Sequence, residues 1–382
     1  MTTAPPAPEA DLAPRQSLAQ GPLGITLLHI ERARRGLAPW QSVHRRLAAV
    51  RPLIDGDDAS LFLGAPAMTY VLHLAASASD RYARALHTLD DVVAAHTRRR
   101  LAAAHARIEQ GRYASFAEYD LFRGLTGLGA LLLRRRPDSD ELKAVLEYLV
   151  RLTEPVAGPK GEPLPGWWVG HAPASNKSAT PGGHANAGLA HGITGPLAIL
   201  ALAKRHGVTV TDHDTAMTRI CRWLDRIRHS DHRGTRWPRW ITETSHAPIQ
   251  PTAPSWCYGT PGLARAQQLA AMALADADRK RMSERALLNC LADPSSLHQL
   301  TTRGLCHGVG GLLRTVQRVA EDAETPTAFT DRLPELRERF LALSPPKEPG
   351  FLEGAAGATL AFQGAEPGFE PATEWDGCLL LC

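Results

Sequence analysis

The sequence has little of several features that mark common classes of protein. Aromatic residues make up 6% of its 382 residues, and the formal net charge is only +4. Such a small charge gives no general attraction to nucleic acid, so we expect none as a partner. No uninterrupted apolar stretch is long enough to span a bilayer, which predicts no insertion into a membrane. β-Branched and aromatic residues are sparse beside alanine, leucine and arginine, a composition that favours helix over strand.

The N-terminus also lacks the apolar core of a secretion signal. Residues 1–16 hold several prolines and alanines and are typical of a disordered tail. We therefore expect a cytoplasmic protein, in which thiols stay reduced. The six cysteines include no Cys-x-x-Cys pair. They are better explained as metal ligands, nucleophiles or core residues than as disulfides.

What the sequence does contain is an internal repeat, in which a Gly-x-x-Gly element precedes an apolar helical stretch. Complete copies begin at Gly21, Gly124, Gly192, Gly259, Gly308 and Gly354, and Gly64-Ala-Pro-Ala67 is an imperfect seventh copy. Amphipathic helical patterns lie between the copies, as in Leu142, Val145 and Leu146 after the capping residue Ser139. Apolar helices inside and amphipathic helices outside predict an all-α fold.

Seven such pairs closed on themselves form an α/α toroid, a double ring of seven inner and seven outer helices. An open solenoid is the alternative, but the first and last copies lack the polar faces of capping repeats. We predict a single toroid domain over residues 17–382. Irregular insertions rich in proline interrupt it at about 153–187 and 232–255.

Residues just before each Gly-x-x-Gly are expected to cluster around the mouth of the central cavity, because the inner helices all begin there. Cys257 and Cys306 both stand two residues before their glycines, and His307 follows Cys306. Two thiolates and an imidazole suit zinc, and three protein ligands with an open fourth position are typical of a catalytic site. A structural site would need a fourth ligand.

Other candidates at equivalent positions are Asp120, His191 and Glu353. The two carboxylates could equally bind backbone N–H groups or order their neighbours, and His191 could be a hydrogen-bonded structural histidine. Four cysteines, Cys221, Cys290, Cys378 and Cys382, are interpreted as packed or exposed residues without function. The runs Arg98–Arg100 and Arg134–Arg136 are expected at helix C-termini, where cations complement the helix dipole.

Four motifs together, Gly-Leu-Ala-His191-Gly, Trp-Cys257-Tyr-Gly, Cys306-His307-Gly and Phe-Leu-Glu353-Gly, resemble the lanthionine synthetase C family of lanthipeptide cyclases. The resemblance extends over essentially the whole chain. It implies zinc on Cys257, Cys306 and His307, and functional roles for His191, for Asp120 and for Tyr258. One departure is that the family often has an arginine at the position of Ala253.

The reaction that the resemblance implies is addition of a peptide cysteine thiol to dehydroalanine or dehydrobutyrine, which closes a thioether ring. His191 is expected to protonate the resulting enolate. Asp120 would orient His191 or relay a proton, and Tyr258 would hydrogen-bond the enolate. The partners would be a dehydrated precursor peptide and a separate dehydratase, because the toroid leaves no length for dehydration chemistry.

Two other functions compete with this interpretation. A zinc-bearing scaffold could bind the peptide or its thiols without catalysis. A toroidal glycosidase could use Asp120 and Glu353 as acid and base, but it would leave Cys257, Cys306 and His307 unexplained.

Overall fold

The computed structural model describes residues 14–50, 53–76, 80–171, 182–242 and 253–382, and most of the chain within these ranges is helical. In chain order the α-helices are α1 (Pro22–Arg34), α2 (Trp40–Ala48), α3 (Ala65–Ala76), α4 (Ala83–Glu109), α5 (Phe116–Tyr119), α6 (Leu125–Arg135), α7 (Asp140–Leu152), α8 (Thr194–Arg205), α9 (His213–Ile227), α10 (Thr260–Leu274), α11 (Ala277–Ala292), α12 (Pro294–Leu297), α13 (Val309–Asp322), α14 (Thr327–Thr330), α15 (Leu333–Ala342) and α16 (Ala355–Gly364). Short strands are β1 (Val156–Ala157), β2 (Pro163–Leu164), β3 (Ala185–Asn186), β4 (His229–Asp231), β5 (Gly234–Arg236) and β6 (Trp240–Ile241).

The seven helices that follow the Gly-x-x-Gly copies form a closed inner ring. In order around this ring they are α1, α3, α6, α8, α10, α13 and α16. Each contacts the next, and the last contacts the first, which excludes an open solenoid. Most residues of each inner helix are buried, including the first ten of the 12 residues of α8.

Six amphipathic helices form the outer layer, namely α2, α4, α7, α9, α11 and α15. Each packs on the inner helix that precedes it in the chain. In α7 the predicted cap is present, since Ser139 Oγ accepts a hydrogen bond from the Leu142 amide at 3.3 Å. The predicted α/α toroid is thus confirmed, but the described residues form six outer helices where seven were predicted. The seventh inner helix leads into residues 365–382, where the regular element is a 3₁₀ helix at Trp375–Leu379.

This C-terminal segment turns into the inner ring. The Tyr70 hydroxyl of α3 donates to the Trp375 carbonyl at 3.1 Å, and Arg265 Nε of α10 donates to the Leu381 carbonyl at 2.9 Å. The Trp256 indole N–H donates to the Leu379 carbonyl at 3.0 Å. Because different inner helices contact this one segment, it lies between them.

The second glycine of each complete copy is needed for a close backbone approach. A Cβ atom on Gly262 would lie 2.0 Å from the carbonyl oxygen of Trp256, and one on Gly311 would lie 1.9 Å from that of Leu305. No side chain fits at such a distance. The glycines therefore let each turn pack directly on the first residues of its inner helix.

These turns are hydrogen-bonded to one another around one end of the toroid. The amides of Leu305 and Cys306 donate to the Leu352 carbonyl at 2.6 and 3.1 Å. The amides of Phe351 and Leu352 in turn donate to the Ala19 carbonyl, both at 2.9 Å. The same pattern joins the turns before α8 and α10. The predicted mouth is therefore a cluster of turns connected through their backbones.

The two predicted insertions meet at this end. Strand β3, from the first insertion, pairs antiparallel with β6, from the second, so that Asn186 lies opposite Trp240. Residues 172–181 and 243–252 of these insertions lie outside the described residues, as does most of the predicted tail 1–16. The last residue of that tail, Gln16, is buried and its side chain accepts a hydrogen bond from the Ile54 amide at 2.7 Å. Among the described residues, none of the helices has the length and apolarity required to cross a membrane.

Candidate metal centre and neighbouring residues

The turns before α10 and α13 bring Cys257, Cys306 and His307 together. One potential ligand atom from each residue lies within 4.8 Å of the other two. Cys306 Sγ is 4.0 Å from His307 Nε2. Both cysteines are buried, whereas the His307 side chain is 62% exposed. The two sulfur atoms of the cluster are therefore buried in the protein, whereas the imidazole side is open to solvent at the mouth.

These three residues fit a zinc ion in their chemistry and nearly in their spacing. Tetrahedral zinc would hold two sulfurs about 3.8 Å apart and a sulfur and a nitrogen about 3.6 Å apart. The separation of 4.0 Å between Cys306 Sγ and His307 Nε2 is slightly longer than the second of these values, and all three donors lie within 4.8 Å of one another, so small side-chain adjustments would bring them to bonding distance. The predicted ligands thus form a three-donor site with one side accessible to a further ligand.

Glu353 sets the orientation of His307. Its Oε1 accepts hydrogen bonds from His307 Nδ1 and from the His307 backbone amide, both at 2.9 Å. With Nδ1 occupied in this way, Nε2 is the nitrogen directed toward the sulfurs. Glu353 also packs on the backbone of Gly304, where a Cβ would lie 2.1 Å from Glu353 Oε2. The role of Glu353 in the structure is to order its neighbours, one of the two interpretations that its sequence position left open.

The proton distribution of the metal-free cluster is uneven. A hydrogen bond from Cys306, together with one from His307, lowers the pKa of Cys257 to about 5 despite its burial. The same hydrogen bond and burial raise the pKa of Cys306. Hydrogen bonds to Cys257 and Glu353 raise the pKa of His307 to about 10. One thiolate is thus present before metal binds, and a metal ion would displace the remaining protons.

His191 and Asp120 form a second pair at the mouth. His191 Nδ1 lies 2.6 Å from Asp120 Oδ2, while Asp120 Oδ1 accepts from the amides of Arg123 and Gly124 at 2.6 and 2.9 Å. Asp120 is buried and the His191 side chain is 35% exposed. The carboxylate is therefore fixed by the turn before α6, and it holds the imidazole with Nε2 on the exposed side.

Tyr258 connects the two groups. It follows Cys257 directly, and its ring centroid is 5.9 Å from that of His191. The amides of Leu189 and Ala190 donate to the Cys257 carbonyl at 2.9 and 3.2 Å, which ties the turn of His191 to the turn of the cysteine. All six predicted site residues are consequently gathered at one end of the toroid. Burial raises the pKa of Tyr258, so its phenol stays a hydrogen-bond donor at neutral pH.

Two contributors to the mouth were not identified from the sequence. The Phe122 ring stacks on His191 with a centroid separation of 4.8 Å. The guanidinium carbon of Arg239 lies 3.7 Å from the centre of the Tyr258 ring. Arg239 could have been considered from the sequence because it stands next to Trp240, in an insertion that we expected to cover one face of the toroid. Ala253, the position at which the resemblance led us to expect an arginine, packs against a hydrophobic cluster that includes Leu287.

Comparisons with known proteins agree with this geometry. The family model described as "Lanthionine synthetase C-like protein" matches residues 14–380. The solved structure titled "Nisin cyclase" is similar to this chain with a TM-score of 0.77 and 21% sequence identity, over 96% of this chain and 92% of that chain. No curated protein sequence matches the chain significantly. The structural likeness at this identity establishes the shared fold.

Proposed function

Because the chain belongs to the lanthionine synthetase C-like family, we propose that it is a zinc-dependent lanthipeptide cyclase. The reaction is intramolecular Michael addition of a peptide cysteine thiol to dehydroalanine or dehydrobutyrine, giving lanthionine or methyllanthionine. The observation that carries the proposal is the open cluster of Cys257, Cys306 and His307 beside the His191–Asp120 pair. A thiol-binding metal site and a proton donor are the two groups that this addition needs.

The metal would lower the pKa of the substrate thiol. The ordinary value of about 8.5 leaves the thiol mostly protonated near neutrality. Zinc held by Cys257, Cys306 and His307 would stabilise the deprotonated form of that thiol. Two of the three protein ligands are themselves anionic thiolates, which reduces the net positive charge of the site. The substrate sulfur would therefore remain electron-rich enough to attack.

His191 is the proposed proton donor for the second half of the reaction. Attack of sulfur on the β-carbon produces an enolate, which must be protonated at the α-carbon. Asp120 accepts from His191 Nδ1 and leaves Nε2 to carry the transferred proton on the exposed side of the ring. The Tyr258 phenol can donate a hydrogen bond to oxygen within the same mouth.

The substrate must arrive already dehydrated, since none of these groups is arranged to eliminate water from serine or threonine. We therefore propose a dehydrated precursor peptide as the substrate and a separate dehydratase as its source. The proposed location is the cytoplasm, where peptide thiols stay reduced.

The experiment that tests the function uses a peptide containing one dehydroalanine and one cysteine. Ring closure leaves the mass unchanged and removes the free thiol, so alkylation followed by mass spectrometry counts unreacted peptide. The zinc-loaded protein is expected to accelerate closure over the protein-free rate, and Cys306→Ala is expected to abolish the acceleration. The variant Cys221→Ala, which removes a buried thiol on α9 remote from the motif positions, is the matched control.

A peptide that binds without any acceleration of closure would refute the cyclase proposal. That outcome would favour a scaffold that holds the peptide without catalysis. Acceleration that persists in Cys306→Ala would show that ring closure does not depend on the proposed zinc ligands.

A further inference from the structure

Arg239 is brought to the mouth by the pairing of the two insertions. Its carbonyl accepts a hydrogen bond from the Ala187 amide at 3.0 Å, and the next residue, Trp240, pairs with Asn186 across the β3–β6 ladder. The ladder lies only a few residues before His191 in the chain. The second insertion is thereby fixed against the turn that carries the proposed proton donor.

The guanidinium group packs against two aromatic rings, those of Tyr258 and Trp240. Its central carbon is 3.7 Å from the centre of the Tyr258 ring and 4.7 Å from that of Trp240. At such distances the ring faces attract the positive charge of the guanidinium. They restrict the side chain, which also hydrogen-bonds to Tyr258, and the other N–H groups of the guanidinium stay available for hydrogen bonds.

The charge of Arg239 is available to a ligand. The residue is exposed, and no carboxylate in the described part of the chain forms an ion pair with it. Its neighbour Tyr258 touches both halves of the mouth, being next to Cys257 in sequence and 5.9 Å from His191 between ring centroids. Arg239 is also close enough to Cys306 to favour the thiolate form of that residue. A cation held against aromatic rings, with no carboxylate partner among the described residues, thus borders the metal ligands and the proton donor together.

We propose that Arg239 is a catalytic residue that binds the carbonyl oxygen of the dehydroamino acid and stabilises the enolate formed on it. The inference rests on the proposed cyclase function. The carbon–sulfur bond forms at the β-carbon while the π electrons of the carbon–carbon double bond move through the α-carbon onto the carbonyl oxygen. Arg239 stays protonated and donates hydrogen bonds to that oxygen. His191 then protonates the α-carbon, the carbonyl re-forms, and the proton lost by the thiol balances the one gained at carbon.

The test compares Arg239→Gln and Arg239→Lys with Arg233→Gln, an exposed arginine of the same insertion placed at the turn between β4 and β5. Steady-state ring closure of the dehydroalanine peptide is measured together with zinc content and the midpoint of thermal unfolding. Removal of one donor to a developing oxyanion costs about 10²- to 10³-fold in kcat. We expect a loss of that size in Arg239→Gln with KM nearly unchanged, because the interaction strengthens only as charge develops.

Arg239→Lys keeps the charge without the planar pair of donors, so its kcat should fall between those of Arg239→Gln and the wild type. Zinc content and unfolding midpoint should match the wild type in all three variants. The proposal is overturned if Arg239→Gln retains the kcat of Arg233→Gln, if its loss appears only in KM, or if it loses zinc or stability. Absence of closure by the wild type as well as Arg233→Gln would instead refute the cyclase function itself.

Discussion

Glu353 accepts two hydrogen bonds from a single residue, His307, one from the imidazole and one from the backbone amide, each 2.9 Å long. The two residues belong to neighbouring turns, those before α16 and α13. The contact fixes both the rotation of the imidazole and the position of the turn that carries it. A carboxylate outside the ligand set therefore determines where the third ligand points.

Removing the charge of Glu353 should weaken zinc binding. We expect Glu353→Gln to lower zinc affinity about 10- to 100-fold, the usual effect of losing a carboxylate that orients a ligating histidine. Competition with a chromogenic chelator measures the change. Glu335→Gln, an exposed glutamate on α15, is the control and should bind zinc as the wild type does. Equal affinities for the two variants would show that Glu353 does not support the ligand.

A methyl group at Gly304 should act on the same contact. The Cβ of Gly304→Ala would lie 2.1 Å from Glu353 Oε2, which forces the carboxylate away from His307. We expect weaker zinc binding. We also expect the effects of Gly304→Ala and Glu353→Gln on zinc affinity to be less than additive, because both variants weaken the same contact between Glu353 and His307. Chelator competition on the double variant measures the coupling. Fully additive losses would mean that the glycine acts elsewhere.

The His191–Asp120 pair should affect the rate of ring closure and leave metal binding intact. General acid catalysis contributes about 10²- to 10⁴-fold, so His191→Asn should lower kcat by a factor in that range. Asp120→Asn should also lower it, since the imidazole loses the acceptor that fixes its tautomer. His87→Asn, exposed on α4, is the control. Wild-type rates in His191→Asn would remove this residue from the mechanism.

The C-terminal segment should make stability depend on pH through Asp376. Burial opposes ionisation of Asp376, but the charges of Arg314 and Arg318 hold its pKa well below the usual range. The arginine Nε atoms lie 2.7 and 2.8 Å from Asp376 Oδ2. Because the folded-state pKa is depressed, this stabilisation is complete above the unfolded value of about 3.9 and is lost as the pH falls below it.

We therefore expect Asp376→Asn to lower the free energy of unfolding by about 3–5 kcal/mol near neutral pH, since two buried cations lose their partner. Urea unfolding at pH 7 and at pH 3 measures both effects, because the loss begins only below the unfolded pKa of about 3.9. The difference in free energy of unfolding between the wild type and Asp376→Asn should be smaller at the lower pH. The exposed control Asp91→Asn should unfold with the same free energy as the wild type at both pH values. A constant difference between Asp376→Asn and the wild type down to pH 3 would contradict the assigned ionisation.

Much of the fold could be predicted because six of the seven inner helices begin with the same glycine-dependent turn. Gly262 and Gly311 meet backbone carbonyls at equivalent places, so the repeat in the sequence reflects a repeated packing contact. The positions before those glycines could be grouped for the same reason. This is why Cys257 and Cys306 could be placed together without knowledge of the helix lengths.

Features that depend on helix length or on irregular segments were predicted less accurately than the repeat. The run Arg98–Arg100 was expected at a helix C-terminus, which is wrong because α4 continues to Glu109. Arg134 does lie in the last turn of α6, but its Nη2 donates to the Cys382 carbonyl at 2.6 Å. Arg239 was not predicted because its position depends on the pairing of β3 with β6, which belong to two insertions distant in sequence. A single sequence does not indicate which residues of two such segments pair.

The measurement that tests the central claim most directly is the zinc content of the purified protein, determined beside that of Cys306→Ala. It requires no knowledge of the natural peptide. We predict about one zinc per wild-type chain, as three ligands with one open position would bind, and none in the variant at the same degree of folding. Folded wild-type protein with reduced thiols that takes up no zinc, or a Cys306→Ala variant that retains it, would contradict the account.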